Sequence, residues 1–350
     1  MKYELLAAAL IVSAAAMASD PVFIFTQAPF ASAHTSNVVE LRNGDLLATW
    51  FGGTAEGKPD VAIWGSRLHD GSWSAPKEMA REPNIATYNP VIFYTKDSRL
   101  WFYYKFGPNP TSWSAARAWS DDDGATWSPI EHLPAGVTGP IRTKPLLMND
   151  GTVVSGTSVE SYHTWAAWIE RSTDNGKSWQ RLGPITVPQT GKKETPSQTP
   201  DAYPFAWSET YGIIQPSVVS MGGKKLRFYA RSTSKIGRIC IADSPDAGLT
   251  WTEARPIDLP NPNSGIDAVA LQDRRIVLVY NRSTDKRTPL VVAVSRDGGE
   301  FQDFRTLETG DGEFSYPAMI QDRDGNLHIT YTWNRKRIKY VKISLNEIPF

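Results

Sequence analysis

Strand-forming runs recur in pairs along this chain, each pair hinged on a Gly, Asp or Asn turn. Residues 37–52 (NVVELRNGDLLATWFG), 144–158 (KPLLMNDGTVVSGTS), 216–232 (PSVVSMGGKKLRFYARS) and 317–333 (PAMIQDRDGNLHITYTW) all have this form. Apolar and β-branched residues flank a tight turn, which is the pattern of a hairpin. A third apolar run follows, as at 60–67 (DVAIWGSR), 115–120 (AARAWS), 166–172 (AAWIERS), 238–244 (RICIADS) and 290–295 (LVVAVS). A polar box and then a fourth strand complete each unit. The segments between boxes read as strands, not helices.

The box is S-x-D-x-G-x-[ST]-W. It occurs as SDDDGATW from Ser120 to Trp127, STDNGKSW from Ser172 to Trp179 and SPDAGLTW from Ser244 to Trp251. SRDGGEF from Ser295 is a degraded copy, and Ser66 with Asp70-Gly71-Ser72-Trp73 is a looser one. The starts lie 54, 52, 72 and 51 residues apart. A polar insert at about 188–209 accounts for the long interval. A fixed period of about 50 marks a repeat architecture. Four strands repeated six times predict an all-β fold, a six-bladed β-propeller. The last unit lacks its own box, so the strand near Val22-Phe23-Ile24-Phe25 is expected to join it and cover its edge. The boxes read as turns between third and fourth strands. Asp and Ser there bond local backbone N–H groups, and Gly supplies positive φ. A calcium loop would want D-x-[DN]-x-[DN]-G and a distal Glu, and only the first box has enough acids.

Composition narrows the partners. With 37 Lys+Arg against 37 Asp+Glu, net charge gives no reason to expect nucleic acid or an anionic membrane. Five His, one Cys and no metal-ligand spacing predict neither a metal site nor a cofactor. Cys240 has no disulfide partner within the chain. Lys2, an apolar run from Leu5 to Met17 and Ala16-Met17-Ala18 read as a signal peptide over 1–18. The expected mature chain, 19–350, is one exported propeller domain, periplasmic or secreted, with no membrane span.

The boxes resemble the Asp-boxes, or bacterial neuraminidase repeats, of the sialidase superfamily, over nearly the whole of 20–350. The resemblance implies a sialidase-like propeller acting on a glycan or glycoconjugate. In a propeller the entry ends of the innermost strands, with the loops after each second strand, form the mouth. Strand starts offer His34, Asn37, Tyr88, Asn89, Arg142, Lys144, Gln215, Asp267 and Tyr316. The loops offer Glu56, Lys58, Asp60, Lys105, Glu160, His163, Arg231, Arg238, Arg282, Arg287, Arg335 and Arg337. Arg335 and Arg337 fall in the basic run NRKRIK and read as surface charges.

By the resemblance, Asp60 matches the general acid and Tyr316 the nucleophile, with Phe314 as the other ring that could align there. Arg287 matches one carboxylate-binding arginine, and Arg231 or Arg238 another. Two departures stand out. The first arginine of the sialidase clamp, in an R-I-P motif, is replaced by His34-Thr35-Ser36-Asn37. The Glu that assists the nucleophile is replaced by Gln215, which accepts no proton at neutral pH. Asp267, Glu56 and Glu160 are the candidate replacements, and Arg142 or Lys144 the candidate substitute cations.

The residue types suit glycoside cleavage, which needs an acid for the leaving oxygen and a group to trap an oxocarbenium-like centre. The leading expectation is an exported exo-glycosidase removing a terminal acidic sugar. Asp60, Tyr316, Asp267 and Gln215 are expected to do the chemistry. Arg287, Arg231, Arg238, His34, Asn37, Asn89, Lys144, Arg142, Glu56 and Lys58 are expected to bind substrate. A lyase or a hydrolase for another sugar, using His34, His163 and Tyr316, is the second expectation. A non-catalytic glycan-binding propeller is the third.

Overall fold

The computed structural model describes residues 19–161, 164–189 and 210–350. The expected leader, His163 and residues 190–209 of the insert lie outside the described residues. The described chain is all-β apart from a 3-10 turn at Leu345–Glu347. Among the described residues no helix is long and apolar enough to cross a membrane.

The strands form antiparallel meanders taken in chain order. After β1 (Val22–Phe23), the first meander contains β2 (Ser32–Glu40), β3 (Leu46–Gly53) and β4 (Ala62–His69). Two short strands, β5 (Ser72–Trp73) and β6 (Lys77–Ala80), both pair with β4. The second is β7 (Thr87–Tyr94), β8 (Leu100–Phe106), β9 (Ser114–Ser120) and β10 (Glu131–His132). Then come β11 (Leu146–Leu147), β12 (Val153–Ser161), β13 (Thr164–Ser172) and β14 (Gln180–Ile185). Next are β15 (Tyr211–Ser220), β16 (Leu226–Ser232), β17 (Arg238–Ser244) and β18 (Arg255–Pro260). These two groups join in one eight-stranded sheet through a parallel pairing of Thr164 with Tyr211 and Trp165 with Gly212. β19 (Asp267–Ala270), β20 (Ile276–Asn281), β21 (Leu290–Ser295) and β22 (Gln302–Glu308) make the next sheet. β23 (Phe314–Gln321), β24 (Leu327–Trp333) and β25 (Arg337–Ile343) make the last, and β1 pairs with β25 as expected.

The hairpins and third strands therefore stand where the apolar pattern puts them. One strand is shorter than expected: the run after Lys144 yields only Leu146–Leu147. Second strands are mostly buried, and Leu46–Gly53 is buried along its whole length. They lie between two strands of their own sheet, and both their faces meet neighbouring sheets, so strict alternation is lost. Apolar clusters fill the spaces between successive sheets. Phe51 and Ile63 meet Ile92 and Phe102, Phe93 and Tyr103 meet Val153, and Ile169 meets Phe228. Ile241 meets Leu278, and Val292 meets Ile329. The cluster of Ile24, Phe25, Val38, Trp50, Ile338 and Tyr340 joins the last sheet back to the first.

The boxes are turns held by their own side chains. In SDDDGATW, Gly124 N–H donates to Ser120 Oγ at 2.8 Å, and Ser120 Oγ–H donates to Asp122 Oδ1 at 2.7 Å. Asp122 also accepts Thr126 N–H at 2.9 Å and Thr126 Oγ–H at 2.6 Å. The same four bonds recur with Ser172, Asp174, Gly176 and Ser178, and with Ser244, Asp246, Gly248 and Thr250. Of the three adjacent acids in the first box, Asp122 closes the turn, while Asp121 pairs with Arg99 at 3.0 Å and Asp123 with Arg42 at 2.6 Å. Thr126 and Ser120 hold the Asp122 carboxyl down at about 2.

Candidate functional site

Four innermost strands share one irregularity. β2, β7, β15 and β23 each lose register at one point, between His34 and Asn37, Tyr88 and Val91, Ile214 and Ser217, and Ser315 and Ala318. The first unpaired residue has positive φ in every case: Thr35 at 52°, Asn89 at 41°, Gln215 at 55° and Tyr316 at 52°. Such values are uncommon for residues with a Cβ and outliers for bulky ones. A bulge re-aims the side chain it carries. Three of the four residues, Asn89, Gln215 and Tyr316, precede a proline.

Tyr316 is the centre of a cluster built from four sheets and a connecting loop. Its hydroxyl accepts a hydrogen bond from Arg231 Nη1. The guanidinium carbons of Arg231, Arg287 and Arg142 lie 5.6, 5.4 and 5.6 Å from its ring centre. The His34 ring is 4.3 Å away, centre to centre. Asn263 spaces two of the arginines: its Oδ1 accepts Arg231 Nε–H at 2.7 Å and its backbone oxygen accepts Arg287 Nη2–H at 3.1 Å. Glu313 accepts from Arg287 Nη1 at 2.8 Å, Arg335 Nε at 2.9 Å and Ser315 Oγ at 2.9 Å. Arg335 Nη1 reaches Glu56 on the β3–β4 loop. Arg142 is fully buried and donates to the backbone oxygens of Pro317 and Ile266. Gly265 makes room for it, since a Cβ there would stand 3.2 Å from the Tyr316 ring and 3.4 Å from the guanidinium.

The charges set protonation. Burial, then the charges of Arg335, Arg287, Arg231 and Arg142, hold His34 well below the usual imidazole range. Thr332 Oγ accepts the Thr35 N–H at 3.0 Å and lies 3.0 Å from His34 Nδ1. Thr332 Oγ can pair with Nδ1 as donor or as acceptor, and His34 Nε2 has no hydrogen-bond partner among the described residues. Burial pushes the Glu160 carboxyl up to about 7; the Arg231 charge opposes this and Glu56 adds to it. Burial brings Lys144 down to about 8, against Asp267, and its ammonium nitrogen has no hydrogen-bond partner among the described residues. Asp60 accepts Thr54 Oγ–H at 2.6 Å and Thr54 N–H at 2.8 Å, which hold its carboxyl below the usual range. Glu313 is also lowered, because Arg287 and Arg335 outweigh its burial.

Not every expected residue converges here. Arg238 is exposed and pairs with Asp258, so of the two candidate clamp residues only Arg231 reaches Tyr316. Asp267 is committed to scaffolding: Oδ1 accepts Ser217 Oγ–H at 2.8 Å and Oδ2 accepts Met319 N–H at 2.9 Å. Asn37 likewise bridges strands, donating to Arg142 O at 3.2 Å and accepting Ile92 N–H at 3.4 Å. These two expected site residues staple inner strands together because their positions face neighbouring backbone. Gln215 is buried with its amide oxygen unpaired, and Asn89 is buried at its bulge. Lys58 is exposed on the loop that carries Glu56 and Asp60. Phe314 sits in the apolar core, which leaves Tyr316 as the ring in the site. Lys105 is buried against Pro140 O at 2.8 Å, and Arg282 pairs with Asp303 at 2.9 Å.

The sequence reading missed Glu313 and Asn263 and read Arg335 as a surface charge. Of the two arginines in NRKRIK, Arg337 lies over the Phe23 ring at 5.1 Å, outside the cluster, while Arg335 lies within it. Glu313, three residues before Tyr316, was the available signal.

The BNR repeat-like domain family matches residues 44–329. No curated protein matches the chain. Among solved structures, a protein of unknown function from Dyadobacter fermentans superposes with TM-score 0.73 at 16% identity, covering 93% of this chain and 98% of that one. The K499G mutant of the NanB sialidase of Streptococcus pneumoniae gives 0.73 at 11% identity over 95% and 72%. The α-L-arabinanase of Penicillium chrysogenum gives 0.67 at 16% over 95% and 99%. What these proteins share with the chain, at such identities, is the propeller fold.

Proposed function

The chain belongs to the BNR repeat-like domain family, and on that premise we propose that it is an exo-acting glycosidase removing a terminal acidic sugar from a glycan. The proposal includes a six-bladed ring, with the eight-stranded sheet counted as two blades. It includes an exported mature chain beginning near Ser19. The observation that carries the function is Tyr316, held at positive φ, its hydroxyl bonded to Arg231 and its ring surrounded by Arg142, Arg231 and Arg287. Arginines bind carboxylate through paired N–H donors. A neutral phenol suits attack at a carbon beside a carboxylate, where an anionic nucleophile is repelled.

Each proposed role follows from this geometry. Arg231 and Arg287 face the sugar carboxylate, with Arg142 beneath the ring. Tyr316 attacks the anomeric carbon as the bond to the leaving oxygen breaks. Its proton passes to the Glu160 carboxylate, a buried group that feels the Arg231 charge, in the role left open by Gln215. Asp60 protonates the leaving oxygen and then, as carboxylate, takes a proton from the water that releases the sugar from Tyr316. Thr54 holds Asp60 ionised in the free protein, so the proton for the first step is taken up with the substrate. His34 and Gln215 line the floor, and Asp267 and Asn37 fix the strands beneath it.

One observation favours a second reading. A neutral imidazole against Tyr316, where sialidases carry an arginine, suits a lyase or a hydrolase for a different sugar. The test is release of fluorophore from a fluorogenic sialic acid glycoside, with Asp60→Asn beside wild type. Release by wild type alone supports the proposal. No release by either folded protein moves the substrate to another sugar, and a product absorbing near 235 nm from a uronic acid polymer marks a lyase. Glycan binding without any turnover marks a binding protein.

A further inference from the structure

Arg335 occupies the tip of the hairpin between β24 and β25, inside a basic run, yet its setting is not that of a surface charge. Asn334 and Arg335 both have φ of 51°. With Lys336 N–H donating to Trp333 O at 3.0 Å, this is the pattern of a type I′ hairpin turn, which needs positive φ at both central residues. Here they are held from two sides. Asn334 N–H donates to Glu313 O at 2.7 Å, and Asn334 Oδ1 accepts Glu313 N–H at 2.8 Å. On the other side, Arg335 O accepts Ala33 N–H at 2.9 Å and Ser32 Oγ–H at 2.8 Å. The tip is thus fixed both to the segment leading into Tyr316 and to the strand that carries His34. Of the charges acting on buried His34, that of Arg335 is the largest.

The two carboxylates on Arg335 differ in kind. Glu313 is built in, shared with Arg287 and Ser315. Glu56 stands on the β3–β4 loop four residues before Asp60, with 41% of its side chain exposed. Its charge also bears on buried Glu160. A guanidinium offers five N–H groups, and a carboxylate docks best on two parallel ones. Glu313 engages Nε and Glu56 engages Nη1. The remaining paired face, Nη1 with Nη2, opens fully only when Glu56 leaves.

We propose that Arg335 is a specificity-determining residue for a carboxylate on the bound sugar, and that Glu56 is the resident carboxylate which that group replaces. The inference rests on the acidic-sugar reading of the site. It supplies, from the last sheet, the cation missing at the His34 strand entry. It also gives acidic ligands a reason to move the loop bearing Asp60, since Glu56 and Asp60 share it.

The experiment is calorimetric titration of the full chain with two sugar acids, N-acetylneuraminate and glucuronate, beside the neutral sugars N-acetylmannosamine and glucose. Wild type, Glu56→Gln, Arg335→Gln and the double variant are compared, with circular dichroism as the check on folding. Removing the competing charge in Glu56→Gln is expected to tighten a sugar acid about tenfold, the order of one charge-assisted hydrogen bond. Neutral sugars are expected to change less than about twofold. Arg335→Gln weakens the sugar acid about tenfold or more, and the double variant loses the gain. If Arg335→Gln fails to fold, Glu56→Gln decides alone. Equal gains for acidic and neutral sugars, no gain for either, or no sugar acid bound by any form would each overturn the inference. Sialoside turnover on the same preparations separates the two ideas. Turnover with no effect of Glu56→Gln removes this inference and leaves the glycosidase reading. A selective gain in binding without turnover does the reverse.

Discussion

Glu160 titrates near neutrality because burial outweighs the charge of Arg231 beside it. Its folded value, about 7, lies above the ordinary 4.5. The native state therefore holds the proton more tightly than the unfolded chain, and stability falls as pH rises from about 4.5 to 7, then levels. If the ionised form takes the Tyr316 proton, kcat/KM rises over the upper part of that same range. Glu160→Gln is expected to flatten the stability slope and to cost about 10²–10⁴ in kcat/KM, the usual worth of a general base. A rising limb near pH 7 that survives in Glu160→Gln would take Glu160 out of the mechanism. Single residues were legible to different degrees. Tyr316, Arg231 and Arg287 were visible through short matches to a family pattern. Asp267 and Asn37 were visible as polar groups at strand starts, but polar side chains there serve backbone as readily as substrate. Only the partners Met319, Ser217, Ile92 and Arg142, distant in sequence, show which. Arg335 was misread for a related reason: a basic run looks solvated until the carboxylates opposite it are known.

At the level of elements, the boxes were legible because each closes on itself. The four bonds that close the Ser172 box all lie within four residues. The bulges were not, since register is a property of two strands. In that box, hydrogen bonds from Ser178 and Ser172 overcome partial burial and hold the Asp174 carboxyl below 3.8. Stability from this group is present above that value and is lost as pH falls through the lowered one. The Ser295 box is shorter. Asp297 accepts Ser295 Oγ–H at 3.1 Å and Gly299 N–H at 2.8 Å, but Phe301 stands where the other boxes carry a Ser or Thr hydroxyl. Asp174→Ala is therefore expected to lower Tm by on the order of 2 °C, and Asp297→Ala by less. Both should leave turnover unchanged, since the boxes cap the strand ends away from Tyr316. Thermal melts at pH 7 and pH 3 check this: the two variants should approach wild type in acid. A box variant that loses turnover while keeping its Tm would make the box part of the site.

For the molecule as a whole, the question is what joins the end of the chain to its beginning. A repeat of fixed period whose last copy lacks a box leaves an uncovered edge, and this made the N-terminal strand predictable from sequence. Val22 pairs with Tyr340 and Phe23 with Lys339, and Ile24 N–H donates to Ile338 O at 2.9 Å. Two backbone pairings are a weak clasp, so side chains must supply most of the closure. Phe25 is one of them. It is buried, stacks on Trp50 at 5.0 Å and meets Phe30 edge-on at 5.5 Å, in the one cluster that links the last sheet to the first. Truncating a buried Phe to Ala costs about 3–5 kcal/mol. Val22, exposed in β1, has little to lose. Phe25→Ala should show that loss in urea unfolding, with an unchanged m-value, and Val22→Ala should not. The form of the transition carries a second answer. If each sheet is stable only when both neighbours cover it, loosening the clasp weakens every sheet at once, and Phe25→Ala still unfolds in one step. Two separated steps would mean that the sheets joined by the clasp fold apart from the rest. The Tyr316 cluster draws residues from both sides of that junction, His34 and Glu56 from the first sheet and its loop, Tyr316 and Arg335 from the last. Activity in Phe25→Ala should accordingly be lost at lower urea than in wild type, in step with global unfolding and not ahead of it.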